Sequence, residues 1–153
     1  MAAESSNPKL TISKIRGELS FTTPKSCRFD DGGDGEWALG VLECEGIMPI
    51  QIMSSKNKNE ITIDAYVSSL LQGLKNETVQ FNNNAESSSI KNKLIDAQKS
   101  FEFAYKDNPK EIWRSESLKI KGKKYFYFIN IMAPVEHWAS WKNHVVFSQY
   151  AKF

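Results

Sequence analysis

The stretch YFYFINIM, Tyr125 to Met132, is apolar on both faces of an extended chain: Tyr125, Tyr127, Ile129 and Ile131 alternate with Phe126, Phe128 and Met132. Successive side chains of a strand point to opposite sides, so this run has no wet face and belongs in the middle of a sheet covered above and below. That requirement sets the architecture. The run is also far shorter than the roughly 20 apolar residues a helix needs to cross a bilayer, and no membrane span is expected.

The flanking segments supply its neighbours. IWRSESLKI precedes it across Lys121-Gly122-Lys123-Lys124, a hairpin turn signal, and SFEFAYK alternates, with Phe101, Phe103 and Tyr105 on one face. Nearer the start, LTISKIRGELSFTTP reads as two strands that turn at Arg16 and Gly17 and end at Pro24. WALGVLECEG and IMPIQIMSS read as two more, joined near Gly46, and Pro49 favours an edge or irregular position for the second because proline cannot donate to a ladder.

Two segments break the alternation. In EITIDAYVSSLLQGLK, residues Ile63, Val67, Leu70, Leu71 and Leu74 fall on one helical face, with Thr62 as N-cap and Asp64 in the first turn. NETVQFNNNAESSSIKNK, poor in apolar residues, is expected to be an exposed connection with at most a short strand. Pro134 opens a last helix over VEHWASWKNHVVFSQY, with Trp138, Trp141 and Val145 on one face. The expected fold class is α+β, an α/β/α sandwich around a central antiparallel sheet. Residues 1-11 are predicted to be a flexible N-terminal segment and 12-153 a single domain.

The 153 residues suffice for one self-standing core, so neither metal nor disulfide is required simply to fold. The 20 basic and 18 acidic residues leave a net charge of +2, without the basic excess of a nucleic-acid binder. MAAESSNPKL contains no apolar signal core, yet Ala-Ala-Glu-Ser-Ser-Asn is the kind of stretch left when a Sec signal is cut after a small residue and an initiator methionine replaces it. A periplasmic or otherwise exported location is expected, with the cytoplasm as the alternative.

Chemistry concentrates in FDDGGDGEWALGVLECEG, Phe29 to Gly46. An EF-hand started at Asp30 fails at two ligand positions, Gly32 and Val41, which leaves at most a weak calcium site on Asp30, Asp31 and Asp34. A solvated turn is the plainest reading. A partner-binding loop is the functional one, because Trp37 stands beside Asp30, Asp31, Asp34 and Glu36, and an aromatic ringed by polar groups is a common interface anchor. Cys27 and Cys44 form the disulfide candidate, the alternative being two buried thiols. Histidines 137 and 144 lack metal-ligand spacing, neither cysteine sits in a catalytic signature and GxSxG is absent, so neither catalytic nor metal-binding residues are assigned and no cofactor is expected.

In the order of its elements, from "GELSFTTP" through "ITIDAYVSSLLQGLK" and "SFEFAYK" to "GKKYFYFINI" and "VVFSQYAKF", the chain resembles the PsbP-like family over residues 12 to 153. That family includes the extrinsic photosystem II protein, a nuclear Ran-binding relative and many bacterial envelope proteins. The resemblance implies a non-catalytic binding scaffold, and fold alone does not choose the partner. Some periplasmic immunity proteins, which neutralise type VI secretion effectors, look similar in fold. A monomer that binds a toxin effector is the sharpest expectation. The alternatives are a lipoprotein-like envelope subunit, or a small-ligand binder or enzyme with its pocket on the sheet or beneath the last helix.

Overall fold

The computed structural model describes residues 10–24, 27–44, 49–56, 58, 60–82 and 94–138. Among these residues nine strands form two sheets. β1 (Leu10–Ile15) and β2 (Leu19–Pro24) make a separate hairpin, and seven more strands make one antiparallel sheet. These are β3 (Cys27–Asp30), β4 (Trp37–Cys44), β5 (Ile50–Lys56), β6 (Thr78–Asn82), β7 (Ile95–Tyr105), β8 (Trp113–Lys121) and β9 (Tyr125–Pro134), in the order β3-β4-β5-β9-β8-β7-β6. The strand without a wet face is the middle one, and Phe126 to Ile131 are all buried.

The two sides of β9 feed two separate cores. Phe126 and Phe128 join Tyr66, Val67, Phe101 and Phe103 beneath the helix α1 (Ile63–Leu74). The Thr62 hydroxyl accepts from the Ala65 N–H at 3.0 Å and caps that helix as its sequence requires. Its Tyr66 ring stacks on Phe128 with centroids 4.3 Å apart. A buried lysine holds the approach to α1: Lys119 Nζ donates to Glu60 Oε1 at 2.7 Å and to the Ile61 carbonyl at 2.8 Å.

On the opposite side Tyr127, Ile129 and Ile131 pack with Leu42, Ile50, Ile52 and Leu118, and the small hairpin closes over them with Ile15 and Leu19. Two ionic side chains flank the hairpin turn and pin it. Glu18 accepts from the Tyr127 hydroxyl and from the Lys124 backbone N–H, both at 2.7 Å. Arg16 donates from Nε to Ser54 Oγ at 2.9 Å. Among the described residues, this face is therefore covered by a β-hairpin and by Trp138, where the sequence suggested a second helix. Of the expected last helix, the described residues are Val135–His137, a 3-10 turn, and Trp138 in helical conformation; residues 139–150 lie outside the described residues.

Two readings of the strands need correction. β5 is an interior strand between β4 and β9, because Pro49 precedes the first paired residue, Ile50, and so takes no donor from the ladder. β3, four residues long, is one of the two edge strands, with β6 at the other edge, and its composition did not signal it. Its partner is fixed by register, with Cys27 opposite Cys44 and Asp30 opposite Val41.

Candidate partner-binding surface

β3 and β4 place the acidic segment. Cys27 and Cys44 face each other across this edge pair and are joined as a disulfide, with Cα atoms 4.1 Å apart, on the core side of the sheet. The bridge points to an oxidising compartment, since such bonds persist outside the reducing cytosol. Side chains alternate along β4: Ala38, Leu42 and Cys44 are buried, while Trp37, Leu39 and Glu43 stand out from the other face. Trp37 is 45% exposed and Leu39 48%, two large apolar side chains two residues apart on the same face. Among the described residues the helix α1 lies mainly against β7 and β8, away from the β4 end of that face.

The loop from Asp31 to Glu36 closes β3 onto β4 and is held at both ends. At its start, Asp30 Oδ1 accepts from the Gly32 N–H at 3.0 Å and Asp31 Oδ1 from the Gly33 N–H at 2.9 Å. These short-range carboxylate bonds stabilise a turn that requires positive φ at both glycines, 77° and 89°. Gly32 has a second reason to be glycine: a Cβ there would land on the Leu39 backbone. At its end, Arg16 Nη2 donates to the Gly35 carbonyl at 2.5 Å and the Ser55 hydroxyl to the Glu36 carbonyl at 2.8 Å. Trp37 then leaves the loop with its ring edge-on to Phe126 at 5.7 Å.

Asp30, Asp31, Asp34, Glu36 and Trp37 are therefore brought to one end of one edge of the sheet, all exposed. Asp30 lies directly across from Val41 on β3, beside the stripe of Trp37 and Leu39. At the far end of that stripe Arg28 donates to Glu43 at 2.7 Å. Beside the loop an open depression of about 610 Å³ is lined by Lys14, Arg28, Phe29, Asp30, Asp31 and Glu43, a mixture of charges with no dominant sign. Among the described residues no three His, Cys, Asp or Glu side chains come close enough to hold a metal ion. His137 is exposed next to Glu136, and His144 lies outside the described residues.

The sequence did not single out Leu39 or Ser55, and read Arg16 only as a turn residue, not as a loop anchor. Leu39 was legible, being two positions from Trp37 on an alternating strand. The other two were not, because their partners are 19 residues away in each case and polar contacts across a fold leave no periodic trace.

No family model and no curated protein matches the chain. Among solved structures, the chain is similar to cyanobacterial PsbP (CyanoP) of Synechocystis, with a TM-score of 0.62 at 10% identity, over 95% of this chain and 93% of that one. It also aligns with LpqN of Mycobacterium tuberculosis, described as involved in cell envelope biogenesis, at 15% identity over 97% of this chain and 92% of that one, with a TM-score of 0.38. The fold is PsbP-like, as the order of elements suggested. Among the described residues no helix is long and apolar enough to cross a membrane.

Proposed function

We propose that the chain is a non-catalytic protein-binding domain of an exported compartment, acting through Trp37 and Leu39 together with the carboxylates of Asp30, Asp31, Asp34 and Glu36. Its sharpest form is an immunity-type protein that binds and neutralises a secreted effector, with the acidic loop entering a basic cleft. One observation carries the reading. A 45% exposed indole stands at the exit of an acidic loop whose two ends are both tied down by hydrogen bonds.

Exposed aromatic groups are the commonest source of interface energy, and a loop already ordered in the free protein loses little further freedom when it docks. Carboxylates around the anchor speed encounter with a basic partner and reject acidic ones. The disulfide supports the exported setting.

The test is affinity purification with this domain from its native host, beside a variant carrying alanine at Asp31, Asp34 and Trp37. A single stoichiometric protein retained by the wild type and lost by the variant is the expected result. A toxin among the captured proteins supports the immunity form, and an envelope protein replaces it with an accessory role. Equal capture by both baits overturns the surface.

A further inference from the structure

A second charged surface lies at the same end of the sheet, at the ends of β5 and β9 rather than on β3 and β4. Lys56, the last residue of β5, is the register partner of Tyr125, the first of β9. With Lys58 and Lys124 these two residues line a depression of about 330 Å³. All three lysines are exposed. The guanidinium of Arg16 lies over the Tyr125 ring at 4.8 Å, so a fourth basic side chain borders the depression in a protein whose net charge is only +2.

The carboxylates that border this cluster are engaged elsewhere. Glu18 accepts from the Lys124 backbone N–H and the Tyr127 hydroxyl, leaving the Lys124 ammonium outside that contact. Glu60 is held by Lys119 at 2.7 Å and lies 3.4 Å from Lys121. Among the described residues no carboxylate forms an ion pair with Lys56, Lys58 or Lys124. Three like charges bordering one depression favour a ligand that carries several negative charges.

We infer that this depression binds a phosphate-bearing group, the three ammonium groups surrounding its oxygens and the Tyr125 hydroxyl serving as a neutral donor at the wall. Ammonium groups on flexible stems suit such a role, since each brings three donors and needs no fixed approach direction. The volume admits a pyrophosphate or a single phosphate headgroup. The three lysines lie outside the partner surface on β4, so this site is tested separately from it.

Two probes identify the source of the phosphate. Inorganic pyrophosphate is titrated into the isotope-labelled full chain at low ionic strength, and vesicles of equal parts phosphatidylglycerol and phosphatidylcholine are tested by co-sedimentation. Each is repeated with the K56Q/K58Q/K124Q variant, whose exposed positions leave the circular dichroism spectrum unchanged. Amide shifts confined to Lys56, Lys58, Lys124 and Tyr125, with binding about 100-fold weaker in the variant, support a soluble phosphate ligand. Co-sedimentation lost in the variant assigns the phosphate to a lipid headgroup. Binding of neither probe, or equal binding by wild type and variant, overturns the inference.

Discussion

The Arg16 guanidinium lies 4.8 Å from the Tyr125 ring centroid, while its Nη2 reaches across to the Gly35 carbonyl at 2.5 Å. One side chain thus joins the small hairpin, the start of the central strand and the acidic loop. Arg16 does this from a backbone φ of 58°, a conformation that a residue with a side chain keeps only where its surroundings hold it.

Arg16→Gly removes the clamp while relieving that backbone strain, so it separates the two effects. The expected outcome is a fold that stays intact and a loop that opens: amide exchange at Glu36 and Trp37 rises, whereas exchange within β8 and β9 stays unchanged. Arg16→Lys keeps the charge but not the forked donors, and gives an intermediate rate. Native-state hydrogen exchange reads all three proteins.

The two glycines at the head of the loop differ in what surrounds them. At Gly33, with φ of 89° and open space around it, alanine meets only the left-handed backbone penalty, about 1–2 kcal/mol. At Gly32 the added methyl also meets the Leu39 backbone, and rigid overpacking adds roughly 1–3 kcal/mol. Urea unfolding of Gly32→Ala and Gly33→Ala is expected to rank them in that order.

Edge strand β3 is only four residues long and depends on its bridge. Cys27–Cys44 closes a loop spanning 17 residues, and opening it costs about 3 kcal/mol in the chain-entropy account. Unfolding midpoints with and without reductant, and in C27S/C44S, measure the loss. Because the acidic loop hangs from β3, reduction is also expected to weaken partner capture.

Acid and alkali act on different layers. The hydrogen bond from Lys119 is the main cause that holds the Glu60 carboxyl below its ordinary value of 4.5. A carboxyl lowered by folding contributes stability that is complete above its unfolded value and is lost as pH falls through the folded one. Glu60→Gln is therefore expected to be less stable at neutral pH, by up to about 1 kcal/mol once solvent screening of the exposed carboxylate is allowed for, and to depend less on pH below 4.5. Burial pushes the Tyr66 hydroxyl up to about 12, and burial together with the Glu18 contact raises Tyr127. For groups raised in this way, stability is intact below the unfolded value of 10.0 and falls as pH climbs beyond it. Ultraviolet titration is expected to leave these two tyrosines un-ionised until the protein unfolds.

Much of this architecture is local in origin. The double-faced run at β9, the β8–β9 hairpin across Lys121 to Lys124 and the capped helix α1 each arise from period and turn chemistry within one segment. The β5–β9 pairing joins segments far apart in the chain, and nothing in either one names the other. β3 escaped because Cys-Arg-Phe-Asp is too short to show alternation, and its place depends on a disulfide partner. Pro49 misled because its cost depends on one residue of register. At the site, Trp37 and the carboxylates were readable as residue types in a loop. The anchoring by Arg16 and Ser55, which makes that loop a fixed surface, exists only after folding.

The central claim is that partner binding runs through Trp37 and the carboxylates beside it. Its most direct test is the affinity of the captured partner for the wild type and for D34A/W37A, measured by calorimetry after circular dichroism shows both to be folded. Removal of a true anchor costs about 2 kcal/mol or more, so the expected result is a loss of about 30-fold or greater. An affinity within about twofold of the wild type contradicts the account and moves the contact surface elsewhere on the domain.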